Sequence, residues 1–305
     1  MTDLLGRPGH FTLSAEVIPP RNGAEQAKVL SQISALVEAG AEFLSVTKGA
    51  GGSLRGGSLP IAQTIKDRLK VPCIAHFTCR DLTIADVENQ LMDHHYFGIR
   101  NILALRGDPP DGQPHWNPRE NGHNFAHELI AQIRGLNEGR YLARAGFDSE
   151  KDAREATDFC IGAAAYPEHP DPEERIRFFE LKVRAGAQYG ITDMCFDVEA
   201  YARFRDACVA RHCAIPLLPG ARPLRTREQA ERVMKKFRVN VPRQLFESLP
   251  TAEDAARDVA GSSARSVEWM IRLAESFRRV GAPGIHLFVI NDTEGASQVL
   301  RELKA

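Results

Sequence analysis

Residues 71–105 read VPCIAHFTCRDLTIADVENQLMDHHYFGIRNILAL, and this stretch indicates the fold. The apolar run at 71–77 predicts a strand, and apolar residues at three- and four-residue spacing predict a helix over 84–97. A second apolar run at 101–105 predicts another strand. Because a helix separates the two strands, we expect them to lie parallel and to be joined by a right-handed crossover.

The same alternation of strand and helix extends along the chain. Strands are predicted over 11–17, 42–47, 71–77, 101–105, 160–164, 189–196, 215–219 and 285–290. Helices are predicted over 29–37, 59–69, 84–97, 124–136, 173–185, 199–210, 227–238, 242–260 (with a possible break at Pro250), 267–280 and 295–303. Eight strand–helix units are the number that closes a barrel. The sequence therefore predicts an α/β fold, a (β/α)8 TIM barrel, as a single domain over 1–305 rather than two doubly wound domains.

A charged segment over 136–158 interrupts this alternation between the fourth helix of the series and the fifth strand. Because it precedes a strand, we expect it on the face formed by the N-terminal ends of the strands, away from the chemistry. We interpret it as a surface excursion, and the alternative is a contact in a homo-oligomer.

Composition excludes several classes of protein. The 305 residues include 39 Lys+Arg and 40 Asp+Glu, and the formal charge of −1 gives no general attraction to nucleic acid or to an acidic membrane surface. No stretch approaches the 18 apolar residues of a membrane span, and the N-terminus has no apolar signal segment. We therefore predict a cytoplasmic protein with no nucleic-acid or membrane partner.

Cysteine and histidine spacing gives no indication of a metal site. The six cysteines form no C-x-x-C pair, so we interpret them as free thiols in a reducing compartment. His94 and His95 are neighbours on a predicted helix, where their side chains point in different directions and make a poor chelate. We predict no metal.

Polar residues follow the predicted strands, where a barrel enzyme collects its active site. The set comprises Glu16, Thr47, Lys48, His76, Thr78, Arg106, Asp108, Tyr166, Glu168, His169, Thr192, Asp193, Arg222 and Asp292. Ionisable groups that end apolar strands are costly unless they serve a site or pair with each other. Gly49 to Gly57 form a glycine-rich loop that matches no phosphate-binding motif, and a lid or a phosphate cradle both remain open.

Two carboxylates in this set are candidates for catalysis. Glu16 lies at the end of the first strand, before Pro19 and Pro20, and burial there would raise its pKa and suit it to act as an acid. The alternative is a carboxylate paired with a barrel Arg or Lys. Asp108 follows Arg106 and Gly107 and can face a cationic centre; the alternative is a local ion pair with Arg106.

Several segments in order along the chain resemble the methylenetetrahydrofolate reductases, which are FAD-containing (β/α)8 barrels. The matching segments are AEVIPP at 15–20, SVT at 45–47, HFTC at 76–79, IRNILALRGDP at 99–109, AYPEHP at 165–170, IT at 191–192, PG at 219–220 and HLF at 286–288. The set covers about residues 11–292, nearly the whole chain.

The resemblance implies a role for individual residues. Glu16 matches the general acid that protonates the folate nitrogen, and Asp108 matches the aspartate beside flavin and pterin. Gln229 matches a glutamine of the substrate site, and Asp193 and Phe288 stand at two further substrate-side positions, where the family has other residues. Positions that contact FAD are matched by Thr47, His76, Arg106, Gly107, Asp108, Phe125, Ala126, Ala164, Tyr166, His169 and Lys182.

The implied activity is that of an oxidoreductase acting on CH–NH donors. It would interconvert 5,10-methylenetetrahydrofolate and 5-methyltetrahydrofolate through FAD, with NADH or NADPH as the co-substrate. This reaction belongs to one-carbon metabolism and methionine biosynthesis.

Substrate-side departures from the family pattern leave two further hypotheses open. The family has Gln at the position of Asp193, a Phe near Val233, and a Tyr and an Arg at the positions of Phe288 and Asp292; Lys48 replaces a Tyr or Trp. An aspartate can still accept the N3–H and 2-amino donors of a pterin. We expect flavin and folate chemistry to persist with altered substrate preference or direction. The alternatives are a flavoprotein that mainly oxidises 5-methyltetrahydrofolate, and a flavin-free pterin-binding barrel.

Overall fold

A closed barrel of eight parallel strands, in sequence order, forms the centre of the protein. This computed structural model describes residues 1–20, 25–49, 56–109, 119–144, 154–290 and 292–305. The strands are β1 (Thr12–Val17), β2 (Phe43–Val46), β3 (Cys73–Thr78), β4 (Asn101–Leu105), β5 (Cys160–Ala165), β6 (Tyr189–Met194), β7 (Leu217–Ala221) and β8 (Gly284–Phe288). The barrel closes where Thr12 to Glu16 pair with Gly284 to Phe288. The prediction of a (β/α)8 barrel is confirmed.

The described helices surround the barrel, and several of them begin at a polar capping residue. They are α1 (Thr2–Leu5), α2 (Gln26–Ala39), α3 (Ser58–Thr64), α4 (Ile84–Tyr96), α5 (Ala126–Asn137), α6 (Pro172–Ala185), α7 (Val198–Ala210), α8 (Arg227–Phe237), α9 (Arg243–Ser248), α10 (Ala252–Arg257), α11 (Val259–Arg279) and α12 (Thr293–Lys304); a π-helical turn, Ile65–Leu69, continues α3. Asp171, Asp197, Thr226 and Asp292 each accept a backbone N–H in the first turn of the helix that follows. These caps fix where the helices after β5 to β8 start, immediately beyond the strand ends.

The main differences from the predicted elements lie between β7 and β8. The predicted helix over 242–260 is two short helices, α9 and α10, one on each side of Pro250. The helix expected to begin at 267 begins at Val259, because Asp258 caps it by accepting the Gly261 N–H at 2.9 Å. The capping residue Asp258, and not the spacing of the apolar residues, determines where this helix begins.

The base of the barrel, at the N-terminal ends of the strands, is filled by apolar side chains. The buried members of this cluster are Leu5, Phe43, Ile74, Leu103, Tyr189, Ile191 and Leu218. Helix α1, which no sequence pattern predicted, contributes Leu5 and so closes this end. Gly162 leaves room for the ring of Tyr189, since a Cβ there would lie 2.3 Å from Cζ of that ring.

The described part of the charged segment at 136–158 is tied to α4 through Glu88. This residue is 1% exposed and accepts hydrogen bonds from the Leu142 amide and the Arg144 guanidinium, each at 2.8 Å. Residues 145–153 lie outside the described part of the chain. The roles suggested for the segment, as a surface excursion or an oligomer contact, stay predictions.

Candidate active site

Glu16 lies at the mouth of the barrel, where the C-terminal ends of the strands meet. Its neighbour on the adjoining strand is Phe288, and His76 approaches from β3. The Glu16 side chain is buried, and its Oε2 lies 3.4 Å from His76 Nε2 without forming a hydrogen bond. Within the described ranges Glu16 has no Arg or Lys partner, so the alternative of a barrel ion pair is not what the structure shows.

Burial controls the charge of both residues. Desolvation, and then the negative charge of Asp193, raise the pKa of Glu16 to about 8. Desolvation lowers the pKa of His76 to about 4. At neutral pH the carboxyl is therefore mostly protonated and the imidazole is neutral. A protonated carboxyl in a buried mouth is a suitable proton donor to a ligand.

Asp193 supplies the second carboxyl group of the mouth, from the end of β6. Burial raises its pKa to about 6, opposed by the Met194 N–H that donates to Oδ1 at 2.7 Å, and raised further by the charges of Asp108 and Glu168. Just above neutral pH, Asp193 is ionised while Glu16 keeps its proton. The two carboxyl groups therefore present an acceptor and a donor to the same space.

Gly107 determines how the chain after β4 passes the mouth. Its φ is +91°, and a Cβ there would lie 3.0 Å from Arg80 Cβ and 3.2 Å from Thr78 Cβ. A side chain at this position would be strained by both the backbone conformation and the contacts. The Arg80 guanidinium donates to the carbonyl of Asp108, which holds the turn and places Arg106 and Asp108 on the exposed rim.

Two cations meet around the ring of Tyr166, at the end of β5. Lys182 Nζ and the Arg175 guanidinium lie 5.3 and 5.4 Å from the ring centre. Lys182 is 9% exposed and donates to the Ala164 carbonyl at 2.7 Å, while Arg175 also contacts His169. Burial, and then the charge of Arg175, lower the pKa of Lys182 to about 8. An anion bound here would relieve this repulsion.

Four polar atoms near these clusters have no hydrogen-bond partner from the described residues. They are Thr47 Oγ1, His76 Nε2, Thr78 Oγ1 and Arg175 Nε, and all four are buried. Buried polar groups without partners are costly and uncommon in native proteins. These four, out of twelve such atoms among the described residues, lie at strand ends or beside Tyr166, where a polar ligand would complete them.

Phe125 and Ala126, expected at the cofactor, lie on the outer rim at the start of α5. The Phe125 ring is 41% exposed and stacks on Phe178 of α6, with ring centres 6.0 Å apart. The structure therefore brings the predicted residues together in two groups. One surrounds Glu16 in the mouth, and the other runs outward along α5 and α6.

A cleft of about 410 Å³ opens beside the mouth, past the ends of β7 and β8. Its lining comprises Arg222, Arg225, Gln229, Arg232, Val233, Lys236, Phe237, Ile290 and Asp292. Asp292, the apparent charge reversal, pairs with Arg225 at 2.6 Å and caps α12, so the cleft stays positive. Gln229 Oε1 accepts the Arg225 N–H at 2.9 Å. The spacing of 229, 232 and 236 places these residues on one face of α8, and Arg225 directly precedes its N-cap; the pattern of strand ends did not predict this cationic wall.

Among the described residues, no group of three or more His, Cys, Asp or Glu side chains is arranged to hold a metal ion. In the same part of the chain, no helix combines the length and apolar character needed to cross a bilayer.

Comparison with known sequences identifies the relatives of this chain. The family profile described as methylenetetrahydrofolate reductase matches residues 2–304. The 5,10-methylenetetrahydrofolate reductase of Escherichia coli is 30% identical over 295 residues, which cover 94% of this chain and 88% of that protein. Methylenetetrahydrofolate reductase 1 of Schizosaccharomyces pombe is 28% identical, over 96% of this chain and 46% of its own length. The chain thus spans about half the length of that yeast relative.

Comparison with solved structures supports the fold. An uncharacterised Clostridium thermocellum protein, described as binding two copies of 5-methyl-5,6,7,8-tetrahydrofolic acid, superposes with a TM-score of 0.57. The match covers 99% of this chain and 98% of that one at 14% sequence identity. At this identity the likeness shows a shared barrel fold.

Proposed function

Because this chain belongs to the methylenetetrahydrofolate reductase family, we propose that it is an FAD-dependent oxidoreductase that interconverts 5,10-methylenetetrahydrofolate and 5-methyltetrahydrofolate, with NADH or NADPH as co-substrate. The observation that carries the proposal is Glu16, a buried carboxyl that keeps its proton at neutral pH and lies beside neutral His76 and ionised Asp193. Opening the methylene bridge requires a proton on a folate nitrogen, and Glu16 holds one at the barrel mouth.

Asp193 fits the recognition of a pterin. The N3–H and 2-amino groups of a pterin are adjacent donors, and an ionised carboxylate accepts from both. Asp193 is ionised above about pH 6, where Glu16 is still protonated. Phe288 flanks this space from β8, Gln229 lines the adjoining cleft, and Asp108 adds a negative charge that favours a cationic folate intermediate.

The residues along α6 fit FAD. When bound, FAD supplies the redox chemistry between the two substrates. The cations Arg175 and Lys182 would hold its diphosphate, since half-buried Arg175 and buried Lys182 both lie against the ring of Tyr166. Thr47 and His76 each have a buried polar atom without a described partner that a flavin ring could satisfy. Arg106, Gly107, Phe125, Ala126, Ala164, Tyr166 and His169 complete the proposed cofactor site.

The reversal of charge at Asp292 does not count against a folate. Its carboxylate is neutralised by Arg225, and Arg222, Arg232 and Lys236 remain to attract the anionic end of a substrate. We include a cytoplasmic location in the proposal, in keeping with the six free thiols.

The decisive experiment examines each half-reaction separately. The purified protein should be yellow and should release FAD on denaturation. Under anaerobic conditions, 5-methyltetrahydrofolate should bleach the flavin absorbance, and NADH or NADPH should do so in a separate mixing. A protein that takes up no FAD would overturn the proposal and favour the flavin-free pterin-binding barrel. Bleaching by the folate without bleaching by either nicotinamide would support a flavoprotein that works in the oxidation direction.

A further inference from the structure

Glu168, in the loop after β5, joins three segments of the barrel mouth. Its Oε1 accepts the N–H groups of Phe196 and Asp197 at 2.7 and 2.9 Å. Its Oε2 accepts the N–H of Asn240 at 2.5 Å. Phe196 and Asp197 lie between β6 and α7, and Asn240 lies between α8 and α9. One carboxylate therefore satisfies three backbone donors that come from two other loops.

Each connected segment carries a proposed site residue. Tyr166 and His169 lie two residues before and one residue after Glu168. Asp193 lies three residues before Phe196, at the point where β6 ends. Helix α8, which ends at Phe237 shortly before Asn240, carries the cationic face of the cleft. The loop on the cofactor side, the pterin acceptor and the helix of the cleft thus meet at one side chain.

The bonding of Glu168 is specific to its carboxylate. All three donors are backbone amides with fixed positions, so the side chain must present an acceptor at both oxygens. A glutamine keeps one acceptor but turns an NH2 donor toward one of the amides. An aspartate keeps both acceptors and the charge, but its side chain is one methylene shorter. The glutamine variant therefore tests the charge of Glu168, and the aspartate variant tests the length of its side chain.

We propose that Glu168 is a positioning residue that holds Asp193 and helix α8 in register with the cofactor loop. The inference rests on the proposed folate reaction, because it assigns Glu168 an effect on the pterin acceptor. Hydrogen bonds to an ionised acceptor are stronger than neutral ones, and here they fix backbone rather than flexible side chains.

The charge of Glu168 provides a readout that a purely structural role lacks. The groups that face Asp193 are Glu16 from β1, Asp108 after β4, and Tyr166 and Glu168 after β5. Of these, the negative charges of Asp108 and Glu168 raise the pKa of Asp193. Removing the charge at 168 should let Asp193 stay ionised to lower pH.

The test measures the rate of flavin reduction by 5-methyltetrahydrofolate against pH in four proteins: wild type, Glu168→Gln, Glu168→Asp and the control Glu199→Gln. Glu199 is an exposed residue of α7. In Glu168→Gln we expect kcat/KM for the folate to fall about ten- to a hundredfold, as for a misplaced acceptor. The low-pH limb of the rate profile of Glu168→Gln, which reports the ionisation of Asp193, should move to lower pH by about half a unit to one unit. Glu168→Asp should lose activity with the limb unmoved, and Glu199→Gln should match wild type.

The outcomes distinguish this inference from the proposed function. If the wild type is not reduced by the folate at any pH, the proposed function fails. If the wild type reacts and Glu168→Gln shows an unmoved limb with kcat/KM within threefold, or only a lower melting temperature, the positioning role is wrong. If Glu168→Gln does not fold, the result for Glu168→Asp still decides: an unchanged kcat/KM would overturn the proposal.

Discussion

The base and the mouth of this barrel are built from the same eight strands but treat polar groups differently. At the base, apolar side chains from the strands and from α1 fill most of the interior, and Thr12 Oγ1 at the start of β1 is a buried polar atom without a described partner. Above them, buried His286 is fully hydrogen-bonded inside the barrel. At the mouth, buried Thr47, His76 and Thr78 each have an atom without a described partner. The layer around His286 satisfies its polar atoms, whereas three side chains in the layer above it do not, and this marks the mouth as the place for a ligand.

The two histidines inside the barrel make this difference concrete. Burial lowers the pKa of His286 to about 3 and that of His76 to about 4, so both are neutral. Ser14 Oγ lies 2.8 Å from His286 Nδ1 and donates to the Ile285 carbonyl, while Ser45 Oγ lies 3.0 Å from Nε2. This arrangement assigns a proton to Nδ1, with Nε2 accepting from Ser45. His76 Nε2 has no such partner in the described chain.

The largest expected effect comes from Glu16→Gln at the mouth. Glutamine cannot deliver the proton, so the folate half-reaction should slow by about 10²- to 10⁴-fold, the usual range for a general acid. Flavin reduction by nicotinamide should stay within a few-fold of wild type, because that step does not use this proton. Anaerobic stopped-flow of the two half-reactions measures both rates.

The matched control for this substitution is Glu38→Gln, at an exposed position of α2. It should leave both half-reactions unchanged. Equal slowing of the folate and nicotinamide steps in Glu16→Gln would show a general disturbance of the flavin and would argue against the acid role.

The fold was predictable where the physical signal is local. Apolar runs predicted all eight strands, because a strand enclosed by helices is apolar on both faces. Helix α1 was missed, since four residues show no periodicity, yet its Leu5 closes the base. The start of α11 at Val259 depends on a single cap, Asp258, which the apolar spacing does not reveal.

Replacing Leu218 by Ala tests whether the apolar base contributes to stability independently of the mouth. Leu218 is fully buried in the apolar cluster there, and its truncation should lower the free energy of unfolding by about 2–5 kcal/mol. Val209→Ala, at a position that is 56% exposed on α7, should change it by less than about 0.5 kcal/mol. Urea unfolding measures both. The folate rate per folded molecule should stay unchanged in Leu218→Ala; a large loss would mean that the base and the mouth are not independent.

The candidate site was predictable only where a residue acts near its own strand end. Glu16 and Asp193 were identified because an ionisable group ends an apolar run. Glu168 stood in a quoted motif, but its donors at Phe196 and Asn240 are 28 and 72 residues away, and no spacing reveals them. The pairing of Asp292 with Arg225 is equally non-local. From the sequence, Asp292 was therefore interpreted as a reversal of charge, whereas in the structure it forms an ion pair.

Replacing Ser14 by Ala tests the satisfied middle layer. The substitution removes the partner of His286 Nδ1 and leaves a buried donor unpaired, which should lower the free energy of unfolding by about 1–3 kcal/mol. Ser34→Ala, on a half-buried hydroxyl of α2 that donates to the Leu30 carbonyl, is the control and should be within about 0.5 kcal/mol of wild type. An equally small change in Ser14→Ala would show that the buried network contributes little to stability.

The effect that is smallest per step, measured per pH unit, concerns the pH dependence of stability at the mouth. The pKa of Glu16 is about 8 in the folded protein against 4.5 for an ordinary glutamate, so between these limits the native state binds more protons than the unfolded state. Stability from this group is therefore complete below pH 4.5, falls as pH rises toward 8, and is constant above that. Glu16→Gln removes the titration, while Asp193, which also titrates here, is present in both proteins. The free energy of unfolding of wild type minus variant should decrease between pH 6 and 8 by up to about 1.4 kcal/mol per unit, measured by urea unfolding in a common buffer. A difference that does not vary with pH would mean that Glu16 ionises normally and holds no proton for a folate.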